Sequence, residues 1–300
     1  MSKRIDTIKH GLILVISLFA LYNFIEVEII LVLMEDLSLE ILILVIAISL
    51  LRPFVGGFRT ISAISPFAKI SHIDASIGYF ISAYGSIFLP SAVGGDILRM
   101  EHISRVTSLP RKTILYVIGV ERLMGLASLL LIFLSMSLMT KNDLNYNEEI
   151  FFLLTIIIIG VTLFLSPFIS KFWKKEDGIM GQILEAGGIK TLVPILVVSI
   201  VFQSVTFLVP ISIALSFGGI DTAVGIALIT PIIAIITTLP VSFGGLGVRE
   251  ASYAAMAPLV GIDSEIAFLC GLSLSSSAIF VGLPGPWLQR RVFQTDEVKG

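Results

Sequence analysis

The chain has 300 residues, of which 56% are hydrophobic and 14% are charged, and its mean hydropathy is +1.00. A soluble domain carries roughly 25% charged residues, so this composition excludes a globule that is covered by polar side chains. The net charge of −2 does not indicate a nucleic-acid partner. We therefore expect an integral membrane protein.

Apolar segments recur along the whole chain. A helix needs about 20 apolar residues to cross the hydrocarbon core, and several segments approach or reach that length. The polar connections between them are too short to hold a catalytic domain of ordinary size. The sequence therefore predicts an all-α membrane protein, a polytopic helical bundle. In chain order the apolar segments lie at about 8–25, 37–54, 73–90, 113–139, 150–169, 191–217, 222–243, 248–260 and 263–287.

The placement of Lys and Arg predicts how these segments cross the membrane. Cytoplasmic connections carry an excess of Lys and Arg, and Arg52 and Arg59 would mark such a connection after the second segment. If 73–90 and 222–260 enter and leave on the same side, every Lys and Arg is cytoplasmic except Lys141, which is external, and Arg122 and Arg249, which lie at membrane depth. This predicts about six full spans plus two re-entrant broken hairpins in the cell (plasma) membrane, with the N- and C-termini cytoplasmic. An ordinary bundle of full spans is the alternative.

One sequence pattern occurs in both predicted hairpins. Residues 89–99 read LPSAVGGDILR, and residues 239–249 read LPVSFGGLGVR. The two copies share Leu, Pro, two Gly and Arg, and they are separated by 150 residues (240 − 90), half of the 300-residue chain. Each half would hold two spans, a broken hairpin and one further span, with the first half starting inside and the second outside. We therefore predict an inverted-topology repeat, 1–145 and 146–300, within a single membrane domain.

The two breaks are the candidate substrate site. Proline and Gly-Gly interrupt a helix and free backbone polar groups, which hydrocarbon tolerates only where protein or water covers them. Broken helices in inverted repeats are typical of transporter substrate sites. Arg99 and Arg249 follow the breaks and are our candidates for phosphate contact. Pro and Gly that merely kink packed helices are the alternative. Four glycines would let the backbone approach a substrate: Gly94, Gly95, Gly244 and Gly245.

Glu121 and Arg122 are charged residues inside an apolar segment. Glu121 lies nine residues beyond Lys112 (121 − 112), and at about 1.5 Å per residue this places it about 13 Å deep, near the midplane. Adjacent helical residues point about 100° apart, so each needs another partner. The available ones are Asp96, Arg99, Arg249 and Glu250. Two interpretations stay open: that Asp96, Glu121, Arg122 and Glu250 orient the arginines or contact a headgroup amine, or that they form a structural ion pair that locks the two repeats together.

Other sites are not indicated by the sequence. His10, His72 and His102 lack the spacing of metal ligands, and no nucleophile–base pair, P-loop or dinucleotide fingerprint is present. We therefore predict no catalytic residue, no metal and no cofactor.

Three ordered motifs resemble a known family. Residues 88–99 (FLPSAVGGDILR), 120–123 (VERL) and 239–250 (LPVSFGGLGVRE) are similar to the transmembrane, flippase-like family of lysylphosphatidylglycerol synthases. In that family the membrane domain is often joined to a soluble lysyl-transferase domain and is implicated in moving aminoacylated phospholipid across the bilayer. Some relatives are tied to polyisoprenyl-linked glycan synthesis. The chain ends at Gly300, so we expect a standalone member without the synthase domain.

The motifs and the resemblance together predict a lipid flippase that is not an enzyme. Its partners would be a membrane phospholipid or a polyisoprenyl-linked lipid, and a separate lipid-modifying enzyme is a further candidate. Two alternatives remain: an intramembrane lipid-linked transferase, and a non-transporting subunit that scaffolds a lipid-modifying enzyme.

Overall fold

The computed structural model describes residues 27–88, 94–140, 189–238 and 245–294. The described ranges contain helices and no strand, which confirms the all-α prediction. The predicted spans at 8–25 and 150–169 lie outside these ranges. The helices are α1 (Val27–Glu35), α2 (Leu39–Ile64), α3 (His72–Phe88), α4 (Gly94–Thr107), α5 (Arg111–Thr140), α6 (Ile189–Thr237), α7 (Val248–Met256), α8 (Ser264–Gly282) and α9 (Gly285–Gln294), with a 3₁₀ turn (Ala257–Val260) after α7.

Four helical stretches are long and apolar enough to cross a membrane: Leu39–Ile64, Arg111–Thr140, Lys190–Thr237 and Ser264–Gln289. Their outward side chains include Leu39 and Leu138, which are 70% and 75% exposed and have the character of a lipid-facing surface. The protein is therefore a multi-pass membrane protein.

α6 is long enough for two crossings. It has 49 residues, and at about 1.5 Å per residue it measures about 73 Å, more than twice the thickness of the hydrocarbon core. Gly219 interrupts it with φ 68° and ψ −156°, a conformation that only glycine adopts readily. The two arms, 189–218 and 220–237, correspond to the separate segments predicted from the sequence.

α2 extends further than the apolar pattern predicts. The side chain of Ser38 accepts a hydrogen bond from the N–H of Ile41 at the start of α2, which is ordinary N-capping. The helix then continues past Arg52, Pro53 and Arg59 to Ile64. The prediction of a polar connection at these arginines is wrong, because their guanidinium groups contact other helices instead of solvent.

Each predicted hairpin is a pair of packed helices. α3 and α4 run antiparallel: Gly85 lies against Gly95 near the connection, and His102 contacts the carbonyl of Asp74 at the far end. The second arm of α6 packs on α7, where the hydroxyls of Thr230 and Tyr253 are 2.7 Å apart. The re-entrant course of these hairpins, the inverted relation of the halves and the division into 1–145 and 146–300 stay predictions.

α2 has a central position, since it packs against α3, α5, α6 and α8. One hydrophobic cluster lies mainly between α6, α7 and α8, and another involves the end of α2 together with α4, α5 and α6. The buried face of α2 itself carries polar and small residues, among them Ser49, Gly56, Arg59 and Thr60. Polar chemistry is therefore concentrated along one helix in the middle of the protein.

Candidate functional site

Two arginines lie on the same face of α2. Arg52 and Arg59 are seven residues apart (59 − 52), which corresponds to nearly two full turns and a separation of about 10 Å along the axis. Each of them lies beside one of the two arginines of the repeated motif. Arg59 lies with Arg99, and Arg52 lies with Arg249.

The first group is a buried ion cluster formed by Arg59, Thr60, Tyr79, Arg99 and Glu121, which we call the inner cluster. Arg99 Nη2 donates to Glu121 Oε2 at 2.5 Å and also to the hydroxyl of Thr60. The Tyr79 hydroxyl donates to the same Glu121 oxygen at 3.2 Å, and Arg59 Nε lies 3.7 Å from it. The exposed fractions of Arg59, Arg99 and Glu121 are 8%, 3% and 0%. The ion pair is therefore withdrawn from solvent.

Aromatic rings complete the inner cluster. The guanidinium carbon of Arg99 is 4.0 Å from the centre of the Tyr79 ring, and that of Arg59 is 4.6 Å from the centre of the Phe202 ring. Arg59 Nε donates to the Tyr79 hydroxyl at 2.9 Å. Cation–π contacts of this kind stabilise a desolvated guanidinium. They hold both arginines in place where water is excluded.

The inner cluster is not fully satisfied. Glu121 Oε1 and Arg99 Nε are buried and have no hydrogen-bond partner among the described residues. Two guanidiniums and one carboxylate leave a net charge of +1. Asp96 also attracts Arg99, but Arg122 Nε donates to Asp96 at 2.6 Å, so that second ion pair adds no net charge. Among the described residues, the cluster therefore retains an uncompensated positive charge.

The second group lines a cavity of about 240 Å³, which we call the outer cavity. Arg52 Nη1 donates to Ser277, and Arg249 Nη1 donates to Ser275, each at 2.9 Å. The two guanidiniums lie close enough to repel each other. The described lining consists of these two arginines, three serines, Tyr79 and apolar side chains, with no acidic residue among them. Such a cavity favours an anion.

The turn before α7 places Arg249 in the outer cavity. Gly245 and Gly247 have φ values of 85° and 79°, which explains why glycine is required there. Glu250 Oε2 accepts the N–H of Gly247 at 2.7 Å and so caps the first turn of α7. Arg249 is the second residue of α7, whereas Arg99 lies in the second turn of α4. The two copies of the motif therefore present their arginines differently.

The family was determined by sequence comparison. The family described as lysylphosphatidylglycerol synthase TM region matches residues 8–285. The chain belongs to this family. Membership relates the protein to lipid modification or translocation at a membrane. Neither the curated proteins nor the solved structures gave a match.

In this member of the lysylphosphatidylglycerol synthase TM family, the structure brings together some of the predicted site residues. Glu121 contacts Arg99, and Arg122 contacts Asp96, and both partners were among those expected. The ion-pair contacts of Glu121 are with α2 and α4, so they do not lock the two predicted halves together.

Other predicted residues have different positions. Arg99 lies in the inner cluster and not with Arg249 in the outer cavity. Gly95 packs against α3, where a Cβ atom would lie 2.3 Å from the carbonyl oxygen of Ser82. Gly94 is buried at the start of α4, Gly245 forms the turn before α7, and Gly244 lies outside the described residues.

The sequence reasoning missed Arg52 of the outer cavity and three members of the inner cluster: Arg59, Thr60 and Tyr79. The available signal was the seven-residue spacing of the two arginines at the end of an apolar segment, which places them on one helical face if the helix continues. No group of His, Cys, Asp and Glu within the described ranges could hold a metal ion.

Proposed function

We propose that this protein moves a lipid with a phosphate-containing headgroup between the leaflets, and that the headgroup enters the outer cavity. The observation that carries the proposal is the convergence of Arg52 from α2 and Arg249 from α7 on one cavity. These arginines come from opposite halves of the predicted repeat. The midplane site of many transporters is formed in the same way.

The charges in the outer cavity favour a bridging anion. Two like charges that repel each other at low dielectric are stabilised when an anion lies between them. A phosphate group can accept hydrogen bonds from both guanidinium forks, and the serine hydroxyls at Ser82 and Ser275 supply neutral donors. The Nε of Arg52 is buried without a partner among the described residues, so it has a donor to offer.

The size of the outer cavity favours a headgroup over a whole lipid. Pockets that enclose drug-sized molecules measure about 300–1,000 Å³, and this one measures about 240 Å³. The tails would stay in the bilayer along the exposed apolar side chains of the helices.

Ser275 and Ser277, which accept hydrogen bonds from the two arginines, both belong to α8. Movement of α8 relative to α2 would separate the arginines and release the headgroup.

Leaflet-resolved transport in proteoliposomes tests the proposal. The variants are Arg52→Gln and Arg249→Gln, and the control is Arg111→Gln, which removes an equal charge from a side chain that is 65% exposed and pairs with Glu101. Hydrogen bonds to charged groups contribute about 1.5–3 kcal/mol, so each cavity variant should transport labelled phospholipid at least about tenfold more slowly. The control should match the wild type. Equal rates for all four proteins would contradict the proposal.

The same vesicles separate the alternative functions. A lipid product with an altered headgroup would instead indicate a transferase. Absence of transport with every lipid, together with copurification of a lipid-modifying enzyme, would indicate a scaffold subunit.

A further inference from the structure

We propose that the inner cluster is a second phosphate-binding site, selective for a phosphodiester monoanion, which the headgroup reaches from the outer cavity. This inference rests on the proposed function, because it assumes that the headgroup enters the outer cavity first and then moves to the inner cluster. Its binding chemistry can be measured without transport.

The inner cluster and the outer cavity share a wall. Tyr79 and Phe202 line the outer cavity, and the same two rings contact Arg59 in the inner cluster. Phe202 therefore lies between the cavity and the Arg59 guanidinium, and its ring is the candidate gate between the two sites. Arg52 and Arg59 lie about 10 Å apart on one face of α2, so the two sites succeed each other along a single helix.

The charge of the inner cluster selects the anion. Arg59, Arg99 and Glu121 sum to +1, and an uncompensated charge in a buried membrane site is expensive. A phosphodiester carries one negative charge and would bring the cluster to zero. A phosphomonoester carries close to two charges above its second pKa of about 6 and would leave an excess of −1. Because Glu121 neutralises one of the two guanidinium charges, the cluster favours the phosphodiester over the phosphomonoester.

The hydrogen bonding of the inner cluster leaves room for a further acceptor. The contacts of Glu121 with Tyr79, Arg99 and Arg59 converge on a single oxygen, Oε2. Arg99 Nε is buried and has no partner among the described residues. A buried donor left without a partner destabilises the site, and a phosphate oxygen at this position would supply that partner. The incoming phosphodiester would share the guanidiniums with Glu121, and Tyr79 would keep its bond to the carboxylate.

Binding and transfer assays on matched variants test the inference. The probes are dihexanoyl phosphatidylglycerol, a phosphodiester, and dihexanoyl phosphatidic acid, a phosphomonoester, at pH 8 on purified protein in detergent. Glu121→Gln raises the cluster charge to +2, so we expect affinity for both probes to rise by at least about tenfold and the preference to shift toward the monoester. Arg59→Gln lowers the cluster charge to zero, so we expect transfer in proteoliposomes to fall by at least about tenfold, whereas Arg111→Gln, outside both sites, should transfer like the wild type.

The outcomes separate the inner site from the proposed function. If Arg59→Gln transports like the wild type and Glu121→Gln keeps the original probe preference, the inner site is overturned while the outer cavity stands. If Arg52→Gln binds and transports like the wild type but Glu121→Gln shifts the preference, the proposed function fails and the inner site stands. Displacement of phosphatidylglycerol by an equal concentration of inorganic phosphate would overturn the assignment to a lipid headgroup.

Tyr79→Phe keeps the test decisive if Glu121→Gln does not fold. This variant keeps the ring and every charge but removes the hydroxyl that joins Arg59 to Glu121. We expect a smaller shift in probe preference in the same direction, because the carboxylate is held less firmly against the guanidiniums. A folded Tyr79→Phe protein with unchanged preference and unchanged transfer would overturn the inference.

Discussion

The inner cluster and the outer cavity are built from similar residues and yet have different properties. Each has one arginine from α2 and one from a repeated motif, with a glutamate nearby. In the inner cluster Glu121 contacts the guanidiniums directly and the group is buried. In the outer cavity Glu250 caps α7 instead, and serines hold the arginines at the edge of an open space.

The two groups differ in the position of one carboxylate. In the inner cluster the carboxylate reaches the guanidiniums, so it offsets part of their charge and joins three helices. In the outer cavity the carboxylate caps a helix, and serine hydroxyls accept hydrogen bonds from the guanidiniums. The variants below test this contrast, and they are ordered from the largest expected effect to the smallest.

Removing each glutamate should have unequal consequences for stability. Glu121→Ala leaves two buried arginines without their counter-ion, and we expect a loss of about 3–5 kcal/mol in the free energy of unfolding. Glu250→Ala removes a capping interaction, which contributes about 0.5–2 kcal/mol. Denaturant titration of both variants in detergent measures the two losses. Equal losses would show that the two carboxylates do not differ as the contacts indicate.

The second glycine of each motif should respond differently to a methyl group. In Gly95→Ala the new Cβ would lie 2.3 Å from the backbone oxygen of Ser82, so α3 and α4 must separate, at a cost of about 1–3 kcal/mol. In Gly245→Ala the positive φ of 85° costs about 1–2 kcal/mol, and Arg249 is displaced. We expect the first to lower thermal stability most and the second to slow lipid transfer most. The reverse order would contradict the assignment.

Replacing Arg52 or Arg59 of α2 by lysine should separate the effect of the positive charge from that of the guanidinium geometry. Arg52→Lys keeps the charge in the outer cavity but loses the fork that holds Ser277 and a phosphate together. We expect phosphatidylglycerol affinity to fall about tenfold, or about 1.4 kcal/mol. Arg59→Lys should leave this affinity within about twofold, since the cavity is unchanged. Titration with the soluble lipid compares the two, and a larger loss for Arg59→Lys would reverse the roles given to the two sites.

An exposed ion pair outside both sites should contribute least. Hydrogen bonds from Arg111 and Arg105 lower the pKa of Glu101 to about 2. Because the folded-state pKa lies below the ordinary value, this stabilisation is complete above about pH 4.5 and is lost as the pH falls toward 2. Surface pairs contribute about 0–1 kcal/mol, so Glu101→Gln should lower stability by less than about 1 kcal/mol at pH 7 and by clearly less at pH 2, where the Glu101 carboxylate is about half protonated. Melting temperatures at the two pH values check this, and an equal loss at both would contradict the ionic origin.

The sequence predicted the helical architecture and part of the contact pattern. Apolar length predicted the long helices. The Gly-Gly pair of the first motif was expected to interrupt a helix, but Gly94 and Gly95 are the first two residues of α4. The partners of Glu121 and Arg122 could be listed because an ionised group inside a membrane needs one. Which partner Glu121 and Arg122 contact depends on how α4 packs against α5, and this packing could not be predicted from the sequence.

The sequence analysis missed the roles of Arg52 and Arg59 for a different reason. The positive-inside rule treats arginines at the end of an apolar segment as markers of a cytoplasmic connection. Here their partners are Ser277 and Tyr79, which lie far away in sequence. Ser277 and Tyr79 are neutral and leave no charge pattern, and the charged partner of Arg59, Glu121, lies on a different helix. The positive-inside rule therefore gave no reason to continue α2 past these arginines.

The helical register between Arg52 and Arg59 has a consequence for how this sequence can change. Inserting one residue between them would turn Arg52 by about 100° around α2 relative to Arg59, so one of the two arginines would leave its site whichever end of the helix stayed fixed. Substitutions among the intervening residues need not do this, although Gly56 and Gly57 have little room for a side chain. A chain that keeps both sites can therefore tolerate many exchanges along this stretch but no insertion or deletion of a single residue.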